Sequence, residues 1–188
     1  MMHQRKRQQS AKPDVSEDVN KDLPEGVDEG LDEDVKRPKT GSALSPRNKA
    51  MNLLARREHS QAELRTKLAV REYSPEEIEA TVTALVADGL LSDERFAEAY
   101  IAARIRTGQG PVRIRGELKK RGVGAEIIGM HLDDAGLEWY SLAREVRSKK
   151  FGEGMPVEFK DKAKQMRFLE YRGFTSEQIR VAMGDDHG

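Results

Sequence analysis

The sequence predicts an all-α fold: three tandem three-helix repeats forming an elongated, curved rod, with a disordered acidic N-terminal tail. Three observations carry the prediction. Helix-start signals crowd the chain from Ser45 onward, no stretch alternates with period two or closes in a hairpin turn, and the sequence matches itself at shifts of 50 and then 51 residues.

Residues 1–45 read as the tail. Pro13, Pro24 and Pro38 interrupt it, and ten carboxylates between Asp14 and Asp34 face the single cation Lys21, a local charge of −9. The whole chain is neutral, so the remainder carries +9. Each part sets its own field, and the segregation matters more than the sum. Val15, Val19, Leu23, Val27, Leu31 and Val35 recur every four positions, which favours a helix on binding; Pro24, Gly26 and Gly30 oppose one in isolation.

Beyond the tail the helices come in order. Ser45-Pro46 sets a cap before proline at the first helical position and predicts a helix over 46–57. Ser60-x-x-Glu63 reads as a capping box opening 61–72, each side chain satisfying a backbone N–H that has no intrahelical partner. Ser74-Pro75-Glu76-Glu77 combines cap, proline and returning glutamate for 75–88. Ser92-Asp93-Glu94 opens 93–107, and Gly110-Pro111 opens 111–121. Helices follow over 125–135, 138–150 and 158–172, and Thr175-x-x-Gln178 opens the last, 176–183.

The self-match groups these helices in threes. One shift lays Leu64 on Ile114, Leu68 on Leu118 and Ile78 on Ile128; the next lays Leu118 on Leu169, Arg121 on Arg172, Gly122 on Gly173 and Ile128 on Ile179. Apolar positions coincide because they fill the same small core in each repeat. Gly122 and Gly173 stand where a helix must end, a place that favours left-handed backbone; Glu72 holds it in the first repeat and implies a different cap. The repeats span 46–91, 92–136 and 137–184, and stack through nearest-neighbour contacts.

Composition narrows the function. At 37% hydrophobic and 35% charged, the chain is core-poor, as exposed helix faces require. There is no cysteine, which excludes disulfides, zinc–thiolate sites and thiol chemistry and fits a reducing compartment. Nothing approaches the roughly 20 apolar residues of a bilayer span, and Arg5, Lys6 and Arg7 lack the apolar segment of a secretory signal, so a cytoplasmic protein is expected. His3, His59, His131 and His187 are scattered, with no second ligand one turn away, so no metal site is expected. Gly108-Gln-Gly110-Pro111 lacks the Gly-Lys of a phosphate loop and follows a helix. No cofactor and no enzymatic activity are expected.

Three segments then stand out together: Gly89-Leu-Leu-Ser-Asp-Glu-Arg-Phe-Ala97; Gly110-Pro-Val-Arg-Ile-Arg-Gly-Glu-Leu118 with Lys120-Arg-Gly-Val123; and Lys149-Lys-Phe-Gly152 followed by Arg167-Phe-Leu-Glu-Tyr-Arg-Gly-Phe174. In type and order they resemble the RecX family of recombination regulators, over about residues 46–183. The resemblance implies a modulator of RecA, the bacterial recombinase. Such a protein lies along the groove of the RecA–single-strand DNA filament, inhibits ATP hydrolysis, strand exchange and coprotease activity, and promotes filament loss. A curved rod suits that groove. The acidic tail lies outside the resemblance.

The charge pattern names the binding candidates. Arg104, Arg106, Arg113, Arg115, Lys119, Lys120 and Arg121 crowd one stretch in which Glu117 is the only acid, a net of +6 over 18 residues. On helix 111–121, Ile114 and Leu118 face inward, Arg113 and Lys120 lie on the far side, and Arg115 and Lys119 flank the apolar stripe. Lys149, Lys150, Lys160, Lys162, Lys164, Arg167 and Arg172 form a second basic area in the third repeat, with Glu153, Glu158, Asp161 and Glu170 interleaved. Arg121 and Arg172 also stand where a side chain caps helix carbonyls. Phe96, Tyr100, Trp139 and Tyr140 read as core; an exposed Tyr100 or Tyr140 offers a face for base stacking. Two functions compete: a monomeric regulator of the RecA filament with single- or double-stranded DNA as an auxiliary contact, and a stand-alone helix-turn-helix-like DNA-binding module. Few Asn or Gln residues on the basic helix, and Glu117 in its middle, weigh against sequence-specific reading.

Overall fold

A computed structural model describes residues 44–71, 73–133 and 138–184; the expectations for the tail, for Glu72 and for residues 134 and 135 lie outside them, and the sixth helix, expected over 125–135, ends at Leu132 with Asp133 as its C-cap. The described residues form nine helices and no strand: α1 (Pro46–Leu54), α2 (Gln61–Ala69), α3 (Pro75–Ala87), α4 (Asp93–Arg106), α5 (Pro111–Lys120), α6 (Ala125–Leu132), α7 (Trp139–Phe151), α8 (Phe159–Arg172) and α9 (Ser176–Ala182).

Every start falls within one residue of its sequence expectation, because caps are local chemistry. Ser45, Ser60, Ser74, Ser92 and Thr175 each accept a hydrogen bond from a first-turn backbone N–H. Ends are less well marked. α1 and α2 each stop three residues short of the expected bound, since no glycine signals the turn there. One cap differs in kind. At Ser74 and Thr175 the box is complete, whereas Glu63 does not return to Ser60. Its carboxylate turns outward to Arg57 and Arg121, at 3.1 Å each. Ion pairs have displaced the local capping hydrogen bond.

Three apolar clusters follow the repeats. The first holds Leu53, Leu64, Leu68, Ile78, Val82, Leu85 and Leu91. The second is built on Phe96, Ile101, Ile114, Leu118, Val123, Ile128 and Leu132. The third holds Ala143, Val146, Leu169, Phe174, Ile179 and Ala182. Ile114, Leu118 and Leu169 are fully enclosed, as the self-match requires. Each such side chain contributes about 2 kcal/mol relative to exposure. The clusters are not sealed from one another. Trp139 belongs to α7 yet is buried in the second cluster, its indole N–H donating to the Leu132 carbonyl at 3.3 Å. Leu142 packs against both the second and the third.

Gly122 and Gly173 have φ of +76° and +88°, the left-handed backbone expected of them. Both do more than end a helix. A Cβ on Gly122 would meet the Ala62 side chain of the first repeat at 2.5 Å, and one on Gly173 would strike Arg113 of the second.

Candidate functional site

The basic stretch of the second repeat is organised around the one acid it contains. Glu117 Oε1 accepts a hydrogen bond from Nε of Arg113, one turn away on α5, and Oε2 forms an ion pair with Arg104 from α4, both at 2.9 Å. The Tyr100 hydroxyl donates to Glu117 at 2.5 Å and accepts from Arg104 at 2.6 Å. The guanidinium groups of Arg104 and Arg121 lie 4.6 and 4.8 Å from the centre of the Tyr100 ring. Burial alone would raise the Glu117 carboxyl; the hydrogen bonds from Tyr100 and Arg113 and the charges of Arg104 and Arg113 outweigh it and hold the group below its usual range. The Tyr100 phenol is pushed up to about 12, chiefly by burial and then by its bond to Glu117.

The same network joins the first two repeats. Ser60 Oγ donates to the Arg121 carbonyl at 2.6 Å, and Arg121 Nε pairs with Glu63 at 3.1 Å. The joint between the second and third repeats stands at equivalent positions in main-chain form. Gly110 N–H donates to the Arg172 carbonyl at 2.8 Å, Val112 N–H to the Gly173 carbonyl at 3.0 Å, and Arg172 to the Thr107 carbonyl at 2.8 Å. In each joint the start of one repeat's second helix meets the C-terminal end of the next repeat's second helix, α2 with α5 and α5 with α8.

These joints change the meaning of the predicted cations. Arg113 does not lie on the far side of α5: it is half-buried, bound to Glu117, and pressed against Gly173, because the third repeat covers that face. Arg104 and Arg121 are largely enclosed in the network, and Arg172 is drawn into the second joint. Arg115 pairs with Asp133 and Lys149 with Glu145, both at 2.5 Å. Arg106, Lys119, Lys120, Lys150, Lys162, Lys164 and Arg167 are exposed. Of the aromatic residues, Phe96 and Trp139 are buried and Tyr100 is half-buried; Tyr140 is exposed, contrary to its reading as core, and hydrogen-bonds Glu177.

Other residues matter that the sequence reading passed over. Arg147 is buried and holds the carbonyls of Glu153 and Gly154 and the Gln165 side chain at 3.1–3.3 Å, bracing the loop between α7 and α8. His59 and Gln109 occupy equivalent places just before the two joints, both buried. The signal for Glu117 was present: a lone carboxylate in a run of arginines gathers them.

His59 donates from Nδ1 to the Arg57 carbonyl at 3.0 Å, and its Nε2 is buried without a hydrogen-bond partner among the described residues. Burial first, and then the Arg57 charge, lower its pKa from 6.5. The folded chain thus binds the His59 proton less readily than the unfolded chain, so the stability this group lends is present above pH 6.5 and is lost as the pH falls below it. Urea midpoints of the wild type are expected to drop between pH 7.5 and 5.5. His59→Gln, which copies Gln109, is expected to flatten that dependence; an unchanged slope would place the acid sensitivity elsewhere.

Among the described residues no His, Asp and Glu side chains gather in a group able to hold a metal ion, and no helix is long and apolar enough to cross a membrane.

Family models described as the first, second and third three-helix domains of RecX match residues 47–85, 92–132 and 137–183. The regulatory protein RecX of Halorhodospira halophila is 45% identical over 136 residues, which cover 72% of this chain and 84% of that one. That of Pseudomonas fluorescens is 43% identical over 141 residues, covering 74% and 91%. Among solved structures, RecX from Lactobacillus salivarius superposes with a TM-score of 0.63 at 20% identity, over 74% of this chain and 93% of that one, a likeness of fold.

Proposed function

The chain belongs to the RecX family of regulatory proteins, and from that premise we propose that it binds the RecA–single-strand DNA filament along its groove and lowers recombinase, ATPase and coprotease activity. The observation that carries the reading is the full set of three RecX domains in order, with close relatives matched over most of their length. The charge arrangement supports it. Once the joints have taken Arg104, Arg113, Arg121 and Arg172, Arg106, Lys119, Lys120, Lys150, Lys162, Lys164 and Arg167 remain exposed among interleaved carboxylates, local cations suited to a partner of negative potential. In this reading the protein is a monomeric, cytoplasmic, non-enzymatic regulator, and DNA is an auxiliary contact.

The test is RecA ATPase on single-stranded DNA, with this protein titrated at substoichiometric ratios and physiological salt. Wild type is expected to inhibit. A variant with Lys119, Lys162, Lys164 and Arg167 changed to Ala, all exposed and outside the joints, is expected to need about tenfold more protein, equivalent to about 1.4 kcal/mol. Absence of inhibition by wild type, with DNA binding intact, would overturn the reading in favour of a stand-alone DNA-binding module.

A further inference from the structure

Each joint between repeats leaves a cleft beside it. The first, about 240 Å³, is walled by Arg57, Lys67, Lys120 and Arg121, with Glu63 as its one acid. The second, about 430 Å³, is walled by Arg106, Lys149, Lys150 and Arg172, with Glu145 as its one acid. Both clefts are built alike in two respects. One wall comes from the chain just after or at the end of the preceding repeat's first helix, and the other from the arginine at the C-terminal end of the following repeat's second helix, Arg121 or Arg172.

Those arginines are held in place. Arg121 donates to the Glu117 carbonyl at 3.3 Å, and Arg172 to the Thr107 carbonyl at 2.8 Å. Each is thus a pre-positioned guanidinium with lysines beside it, although Arg121 also pairs with Glu63 at 3.1 Å, and such a concentration of fixed cations suits phosphate oxygens. The larger cleft adds an apolar floor of Ile105, Leu142 and Val146. Arg172 is half-buried, and its guanidinium pKa is lowered, first by burial and then by the neighbouring charge of Arg113. An anion in the cleft relieves that crowding. A peptide is less well served: the described residues offer no strand edge to extend, and three apolar side chains do not make a groove for a helix.

We propose that the two inter-repeat clefts are phosphate-binding subsites for one nucleic-acid strand, engaged at two points one repeat apart, with the apolar floor of the second taking a base or sugar face. The proposal rests on the reading of nucleic acid as part of the chain's target, and it assigns that contact to the joints rather than to the outer face of α5. It also gives the joints a second role. The arginines that fasten the repeats together are the ones that set the spacing of the subsites.

The experiment is fluorescence anisotropy with labelled oligo(dT) of increasing length and no recombinase, on the full chain. Arg121 and Arg172 are left intact because they hold the joints. The first-cleft variant is Lys67→Ala with Lys120→Ala, and the second is Arg106→Ala with Lys150→Ala. A control, Arg65→Ala with Arg95→Ala, removes two charges outside both clefts, and circular dichroism checks that all variants keep wild-type helicity. Wild-type affinity is expected to rise in two steps with oligonucleotide length. Each cleft variant is expected to lose one step, to bind about tenfold more weakly at the longer length, and to lower the salt slope by about 1.4, two contacts at about 0.7 each for a single strand. Cleft variants that match the control would overturn the proposal. Binding of labelled poly-glutamate at concentrations where oligo(dT) does not bind would overturn it in favour of an acidic protein. RecA ATPase inhibition, read in parallel, separates the two readings: inhibition that survives loss of free-strand binding leaves the regulator intact, and lost inhibition with unchanged strand binding counts against the clefts.

Discussion

Gly110→Ala is expected to part the third repeat from the second. A Cβ on Gly110 would stand 2.5 Å from the carbonyl carbon of Gly173 and the nitrogen of Phe174, atoms of main chain that no rotamer change can move aside. The φ of Gly110, −88°, is open to any residue, so the demand for glycine here is close approach and not backbone freedom. Relief requires the two segments of the joint to separate, and with them go the bonds from Gly110 N–H to Arg172 and from Val112 N–H to Gly173. Overpacking costs about 1–3 kcal/mol and each lost hydrogen bond about 1 kcal/mol, so a total of about 3–5 kcal/mol is expected. Because stability in stacked repeats is a sum of repeat and interface contributions, the loss appears as a separate early unfolding phase. Urea denaturation with hydrogen exchange resolved by segment reads it: residues 139–184 exchange early while the first two repeats keep their protection. Gly116→Ala is the matched control. It lies within α5 with nothing within 4 Å of its Cβ, and is expected to stabilise the chain by up to about 1 kcal/mol. Equal behaviour of the two variants would show that the joint is not held as described.

Glu117→Ala is expected to cost about 3 kcal/mol, because it strands the enclosed Arg104 guanidinium and the half-buried Arg113, and removes the acceptor of the Tyr100 hydroxyl. Glu117→Gln keeps an acceptor and loses the charge, so an intermediate loss is expected. Acid titration checks the assignment independently. With its folded pKa held below 4.5, Glu117 lends stability that is full above that value and is lost as the pH falls through the lower folded value. Wild-type stability should therefore converge with that of Glu117→Ala toward low pH, by denaturant midpoints. A constant gap down to acid would place the stabilisation outside the carboxylate.

What the sequence conveyed well was whatever depends on near neighbours. Ser74 with Glu77 and Thr175 with Gln178 close their boxes as written, since cap and partner lie within one turn. Apart from the early ends of α1, α2 and α6, the departures are long-range. Glu63 is a box residue by spacing, but Arg121 lies 58 positions away in sequence and 3.1 Å away in space. Arg113 is on the polar side of its own helix, and only the covering third repeat makes that side an interface. Tyr140 reads as the equivalent of a core tyrosine, yet α7 carries it to the surface while Trp139 crosses into the second core.

By itself, then, the sequence determined nine helix starts, the inward stripes Ile114–Leu118 and Leu64–Leu68, and a threefold repeat whose three segments identify the family. Caps and apolar periodicity act within a turn or two, and a repeat compares the chain only with itself. The tertiary structure decided which cations remain outward. Seven basic residues in one stretch look alike along the chain, but burial, one carboxylate and the approach of the neighbouring repeat divide them into fasteners and exposed groups. Charge is a property of composition; its availability depends on what packs beside it.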